Sequence, residues 1–425
     1  MEKIYLKNYK GFPNQFIELA DMNFLVGENS TGKTSFLKII NLLSSSEFWY
    51  NYEFNNNEVE LGYFEEILDK TTKDSFFRLG IEKPIEDIEV KSNENSDFRI
   101  IFEFREQKSV PQLYFAKIEI DKYDVLIKFT KKQISYQLKE SNGQNFEEWA
   151  LDFDFPKKYK RFNFPPKQLP LSLLFIVIQR EIGMKEDFKL KGPLGQELLY
   201  TNYKWLAPIR AKAKRTYESY KIKFSPEGDH IPSILRQILG NRNSNEKAKI
   251  LSILKSFGRD SNLFDEILIK ELGKKDSSPF EIMILYKDVE IKLPNVGYGV
   301  SQSLPIIIEI LSSKNTCFSI QQPEVHLHPK AQAAFGSFLF NAVNNDNNKF
   351  IIETHSDFAI NRFRHKLNQS KKEINFKSKV LFFERTKSGN KVSSIDLNND
   401  GSYAKKVPLG YRDFFIDEEL KLLEI

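Results

Sequence analysis

Cysteine is almost missing, with Cys317 the only one in 425 residues. One thiol cannot build an internal disulfide framework, and it fits a reducing, cytoplasmic setting. Long hydrophobic runs are missing too. The longest, around Leu171 to Ile178, falls far short of the roughly 20 residues that span a bilayer, so no membrane partner is expected. The opening, Met1-Glu2-Lys3-Ile4-Tyr5, lacks the charged-then-apolar order of a signal peptide. Neither sign of charge dominates: 63 Lys and Arg against 58 Asp and Glu leave +5, with a pI near 8.8. That mild excess permits a nucleic-acid partner without requiring one, because dedicated binders cluster more charge. There is no internal repeat, and no heptad run long enough for a coiled-coil arm. What remains is a globular balance. At 40% hydrophobic and 28% charged residues, wholesale disorder is excluded, and the length allows one large domain or two to three ordinary ones.

The first elements read as strands at Ile4 to Tyr9, Gln15 to Leu19 and Asn23 to Val26. The third runs into a glycine loop, after which Phe36, Leu37, Ile39, Ile40, Leu42 and Leu43 repeat at helical spacing. From about Asp97 to Leu138 the pattern alternates. Phe98, Ile100, Phe102 and Phe104 share one face, with Arg99, Glu103 and Arg105 opposite, which predicts an antiparallel β subdomain with one wet face. An aromatic, Lys- and Pro-rich connector from Asp152 to Pro170 carries no element pattern. Ile231, Ile234, Leu235, Ile238 and Leu239 predict a helical subdomain that runs to about Leu272. Strands at Phe280 to Tyr286, Cys317 to Ile320, Phe350 to Glu353 and Val380 to Phe383, mostly with helices between, predict α/β with parallel strands. The Asn-rich pieces Asn55 to Asn57 and Asn344 to Asn348 read as loops.

Gly27-Glu28-Asn29-Ser30-Thr31-Gly32-Lys33-Thr34 satisfies G-x-x-x-x-G-K-[ST] in full. Strand before and helix after are the context that gives this motif its meaning. Its glycines let backbone N–H groups curl around a phosphate chain, and the helix start adds a favourable dipole. Lys33 would neutralise β/γ-phosphate charge, and the Thr34 hydroxyl, ahead of Ser35, would ligate Mg²⁺. ATP and Mg²⁺ are thus the expected cofactors. A second glycine turn, Asn295-Val296-Gly297-Tyr298-Gly299-Val300-Ser301-Gln302, precedes a helix placed at Leu304 to Ser312. It reads as an anion site or as an ordinary helix start capped by Ser301 or Ser303. Cys317 to Ile320 ends in Gln321-Gln322-Pro323-Glu324-Val325-His326-Leu327-His328-Pro329, with Pro329 in a helix's first turn. Ile351-Ile352 ends in Glu353-Thr354-His355-Ser356-Asp357. A zinc reading of His326 and His328 competes with plain loop contacts. Closed zinc sites take four N or S ligands, and Cys317 is not placed to help.

Together and in this order, the motifs resemble the ABC-type ATPase heads of the SMC, RecF and OLD group, nearest to armless AAA-type ATPases of bacterial anti-phage defence operons. Leu6-Lys7-Asn8-Tyr9-Lys10-Gly11-Phe12 is similar to that family's opening, and Val296 to Pro305 to its signature motif. Gln322 to Pro329 resembles the Walker B end and D-loop, and Glu353 to Asp357 the switch histidine. Pro208-Ile209-Arg210, Arg215-Thr216-Tyr217, Gly228, His230 and Pro232 resemble a further block. The likeness is weakest between about 75 and 200. It implies an α/β P-loop NTPase, an ABC-type head with an antiparallel β subdomain and a helical signature subdomain. The implied division is an N-terminal lobe at 1–80, a β-rich subdomain and connector at 81–215, a helical subdomain at 216–279 and a C-terminal lobe at 280–425.

The resemblance further implies a head-to-head homodimer, or a higher oligomer, with ATP sandwiched between Gly27, Asn29, Ser30, Gly32, Lys33, Thr34 and Ser35 of one copy and Gly299, Ser301 and Gln302 of the other. His355 would sense the γ-phosphate, and Glu324 to His328 would contact the partner copy. Arg210 and Arg215 would serve the active site or DNA, or lie on the surface. Gln321 and Gln322 stand where that family has acidic residues. A carboxylate there holds the Mg²⁺ shell and the next one orients or deprotonates the attacking water. A glutamine carbonyl ligates and positions water, but it adds no charge and takes no proton. Slow or conditional hydrolysis is therefore expected, with Lys33, Gln321, Gln322 and His355 as catalytic residues and Thr34 and Gln321 as metal ligands. Only about 70 residues follow His355, and Glu384 and Asp396 read as solvated strand-edge groups, so no fused nuclease is expected. The implied role is a sensor or clamp that controls a separate effector, a nuclease. The alternatives are a DNA repair or recombination ATPase that binds nucleic acid itself, and a scaffold with structural nucleotide. The signature lacks the leucine-serine-glycine-glycine form of a transporter motor.

Overall fold

The computed structural model describes residues 2–56, 59–84, 97–120, 123–130, 133–152, 160–161, 202–218, 223–240, 245–370, 373–404, 407–411 and 413–415. The apolar run at Leu171 to Ile178 and the connector, apart from Asp152 and Lys160–Arg161, lie outside them. The chain folds as two units. The first comprises Met1–Ala20, Gly27–Asn202 and Phe382–Ser394, the second Asp21–Val26, Tyr203–Leu381 and Ile395–Ile425.

The first unit is built on β1 (Lys3–Tyr9), β2 (Phe12–Glu18), β4 (Phe76–Pro84), β5 (Asp97–Gln107), β6 (Val110–Ile120), β7 (Tyr123–Phe129), β8 (Ile134–Glu140) and β9 (Lys160–Arg161). They form one antiparallel sheet in the order β2-β1-β4-β5-β6-β7-β8-β9. Helices α1 (Lys33–Ser44), α2 (Ser46–Asn51), α3 (Phe64–Ile67) and α4 (Phe146–Leu151) accompany it. The alternation along β5 is borne out on its apolar side. Phe102 meets Trp49, and Phe104 stacks on Phe77 and meets Phe48 and Phe54, at centroid spacings from 4.8 to 6.3 Å, the range in which aromatic rings attract.

The opposite face is not wet, as the sequence had suggested. Around Ile101 it is covered by Tyr5 and by Phe146, Trp149 and Ala150 of α4. Its charges are closed among themselves. Glu103, with no exposed surface, bonds Arg78 at 2.8 Å and Arg105 at 2.8 Å, while Arg99 joins Glu82 and Glu119. Burying one such charge alone would cost several kcal/mol, so the pairing is what lets the face be covered.

The second unit carries β10 (Tyr203–Leu206), β14 (Cys317–Gln321), β15 (Lys349–Glu353) and all but the last residue of β3 (Met22–Gly27), consecutive strands of a six-stranded sheet ordered β10-β14-β15-β3-β16-β17, whose other members are β16 (Ser378–Thr386) and β17 (Gly389–Leu397). The run from β10 to β3 is parallel, with Gln321 opposite Glu353 and Glu353 opposite Leu25. The ends of β14, β15 and β3 thus share one sheet edge, the edge at which open α/β sheets bind ligands. Its helices are α5 (Ile231–Gly240), α6 (Asn245–Ser261), α7 (Tyr298–Leu311), α8 (Pro329–Asp346) and α9 (Asp357–Gln369). Among the described residues no helix is long and apolar enough to cross a membrane. The mixed α/β P-loop fold with an antiparallel sheet is the one expected.

Four local expectations are corrected. The helical stretch does not reach Leu272: α6 ends at Ser261, where Asn262 turns left-handed (φ 57°) and Leu263 N–H returns to the Gly258 carbonyl. The segment that follows is β11 (Glu266–Glu271). Phe280–Tyr286 (β12) is no member of the parallel sheet but the centre of an antiparallel one, between β11 and β13 (Val289–Lys292). The two-residue turn Lys287-Asp288, both at positive φ, sets that hairpin. Asn344 is helical, since α8 runs to Asp346 and stops at left-handed Asn347. Finally, α7 starts at Tyr298, well before Leu304, with Gly297 as cap. Ser301 and Ser303 lie inside it, their hydroxyls turned back to Tyr298 and Gly299 carbonyls.

One buried cluster ties α7 to the sheet. Glu309 accepts from Lys204 at 2.6 Å and from His230 Nε2 at 2.6 Å, while the Ser225 N–H donates to His230 Nδ1, which places the ring proton on Nε2. Burial alone would raise the Glu309 carboxyl, but the hydrogen bonds from His230 and Lys204 and the Lys204 charge hold it below its ordinary value. Glu309→Ala should therefore cost about 3 kcal/mol at neutral pH, because it leaves a lysine and a histidine without their acceptor. A depressed carboxylate contributes fully above its unfolded pKa and loses that contribution as pH falls through the folded one. Urea unfolding of the two proteins should hence converge as pH drops below about 4; a gap that persists in acid contradicts this account.

Candidate phosphate-binding loop and sheet-edge site

The phosphate loop belongs to the first unit. Gly27 closes β3 at φ 148°, and a Cβ there would lie 2.1 Å from the Phe383 carbonyl oxygen, so only glycine fits. Ser30 and Gly32 follow at φ 64° and 98°, and Gly32 caps α1 with no side-chain hydrogen bond. Lys33 curls over its own loop, and Nζ donates to the Gly27 and Glu28 carbonyls at 2.7 Å each. The Thr31 hydroxyl donates to Glu28, and Tyr9 holds the Ser35 carbonyl from behind. Asn29, Ser30 and Thr34 are exposed and Ser35 half-buried. A glycine at the start of α1, a lysine within the loop and an exposed hydroxyl beside it fit a nucleotide triphosphate.

In the second unit the sheet edge gathers the remaining residues. Gln321 is buried and its Nε2 donates to Glu353 Oε2 at 3.3 Å. Gln322 is half-buried and left-handed (φ 42°), and its N–H meets the Glu353 carbonyl at 2.8 Å. The His355 N–H donates to Glu324 Oε1 at 2.6 Å, and the Thr354 N–H to the Leu25 carbonyl at 3.1 Å. Burial pushes the Glu324 carboxyl up, against the pull of the His355 amide and the Thr354 hydroxyl.

On α7, Gly299 and Gln302 are buried and Ser301 is half-buried. A Cβ on Gly299 would lie 3.2 Å from the His326 carbonyl oxygen, which brings the start of α7 against the turn after β14. His326 is exposed, with its ring 5.5 Å from that of Tyr298. His328 caps α8 by accepting the Ala331 N–H. Among the described residues no group of three His, Cys, Asp or Glu is arranged to hold a metal.

The two arginines part company. Arg215 is exposed, while Arg210 is only 4% exposed and donates from Nη2 to the Gln321 carbonyl at 3.3 Å. Burial lowers the Arg210 pKa to about 10, with Glu324 opposing that shift. Sequence reasoning had not singled out Glu353 as a neighbour of Gln321. The signal lay in strand register, which the sequence does not display.

No curated protein matches the chain. Among the solved structures similar to it are three SMC heads. One is an SMC head bound to the C-winged helix domain of ScpA (13% identity, 93% of this chain and 97% of that one, TM-score 0.47). Another is an SMC head domain with an extended coiled coil, bound to the C-terminal domain of ScpA, from Pyrococcus furiosus (11%, 99% and 100%, 0.44). The third is the SMC head domain from Thermotoga maritima (13%, 92% and 97%, 0.38). Residues 1–360, which hold the phosphate loop, the glutamine pair and His355, match the AAA ATPase domain family, and the chain belongs to it.

Proposed function

We propose that this ATPase is an ABC-type switch that closes head to head on ATP and hydrolyses it slowly. Gly27, Asn29, Ser30, Gly32, Lys33, Thr34 and Ser35 hold the phosphates, Thr34 and Gln321 face Mg²⁺, and Gly299, Ser301 and Gln302 meet the nucleotide of the other copy. The supporting observation is chemical. Two amides stand at the end of β14, the first already bonded to Glu353, and neither can take a proton from water. ATP then acts mainly as glue for the dimer, and the closed state signals to a separate effector. In this reading the effector is a nuclease of a cytoplasmic anti-phage system. Light scattering tests the switch: mass should double with ATP and Mg²⁺ but not with ADP. Ser301→Arg should block the doubling and leave ATP affinity within about threefold, since Ser301 faces the other copy's nucleotide and, within its own copy, bonds only the Tyr298 carbonyl. A mass that ignores ATP sinks the reading.

A further inference from the structure

The edge where β14 and β15 end holds two charged groups that the chemistry so far leaves without a task. Arg210, almost wholly buried, uses Nη2 on the Gln321 carbonyl, while Nε and Nη1 have no hydrogen-bond partner. Glu324 uses Oε1 on the His355 amide and feels the Thr354 hydroxyl, while Oε2 is shielded and has no hydrogen-bond partner. The two feel each other's charge but share no hydrogen bond. A pair present only for stability would close into a bidentate contact, the strong geometry for arginine and carboxylate. Here each group instead grips the backbone of a strand end that carries a site residue. We propose that Glu324 and Arg210 are coupled positioning residues for ATP turnover, Glu324 setting His355 through its amide and Arg210 setting the glutamine pair through the Gln321 carbonyl.

The proposal rests on the reading of Gln321, Gln322 and His355 as site residues. Its physical content is coupling. Removal of one charge strands the other in a buried place, whereas removal of both does not. Single-turnover ATP hydrolysis and the dissociation rate of a fluorescent ATP analogue are measured on the full chain. The chain as it stands and a Gln322→Glu background both serve, so that slow turnover does not blunt the readout. Glu324→Ala and Arg210→Met should each slow hydrolysis about tenfold or more and leave analogue release within about twofold, the signature of positioning rather than binding. Glu324→Gln, which keeps an oxygen for the His355 amide, should recover part of the loss. The Glu324→Gln/Arg210→Met double variant should be at least about fivefold faster than the product of its single effects.

Thermal midpoints that fall while hydrolysis per folded molecule holds would make the pair merely structural and overturn the proposal. Independent, multiplying effects would overturn it too. Should a truncated variant not fold, Glu324→Gln and Arg210→Lys carry the same comparison. Lys33→Ala and His355→Ala separate the two levels. If these leave turnover intact, the site assignment itself fails; if they abolish it while the Glu324 and Arg210 variants match the parent, only the positioning pair fails.

Discussion

Lys33→Ala should weaken ATP binding by about ten- to a hundredfold. Charge-assisted hydrogen bonds contribute about 1.5–3 kcal/mol each, and every 1.4 kcal/mol is a factor of ten. Lys33 is 4% exposed, and its ammonium is already held inside its own loop by two carbonyls at 2.7 Å. Its position is therefore set before any phosphate arrives, and little ordering cost dilutes the interaction. The same two bonds brace a loop that contains left-handed Ser30. The variant should also melt a few degrees lower, in line with the loss of about 1–2 kcal/mol. Calorimetric titration with Mg²⁺ and ATP checks the first effect and a dichroism melt the second. An affinity within about threefold of the parent would remove Lys33 from the phosphate site.

What could be read from the sequence was local. The run from β3 through Gly27 to α1 is a strand, a turn and a helix within about twenty residues, and each part announces itself by spacing or by glycine. The alternation in β5 gave the sheet and its aromatic face. The cover on the other face was hidden because Phe146 and Trp149 reach Ile101 from more than forty residues on, and no local period encodes that. Phe280–Tyr286 reads the same whether its neighbours are parallel or antiparallel; only the positive-φ pair Lys287-Asp288 marks a hairpin, and neither residue is glycine or asparagine.

The site divided along the same line. Motif letters pointed to the phosphate loop and the glutamine pair. Contacts at the sheet edge span 32 residues for Gln321 with Glu353 and 111 for Arg210 with Gln321, so they belong to topology. Arg210 shows the difference most sharply. In the sequence it is one of 63 basic residues, as ready to be surface as site; in the fold it is buried against the end of β14.

The glutamines themselves give the other large effect. Gln322→Glu restores a group that can take a proton, and general-base catalysis is worth about 10²- to 10⁴-fold; turnover should rise at least about a hundredfold. Gln322 already sits at φ 42° with its amide on the Glu353 carbonyl, and glutamate asks for no different backbone. Gln321→Glu behaves differently. Gln321 Nε2 donates to Glu353 Oε2 at 3.3 Å, so a carboxylate there would face another carboxylate. Two like charges that close raise one pKa and repel, unless a divalent cation lies between them. This variant should melt lower than the parent without Mg²⁺ and regain much of the loss with it, a metal response the parent lacks. Its effect on turnover alone should stay below about tenfold, since charge at that place helps little without a proton acceptor next to it. With both exchanges in one chain, turnover should be fastest and the ATP-bound dimer shortest-lived. If neither exchange moves turnover or dimer lifetime, the amides at the end of β14 are not what holds hydrolysis back.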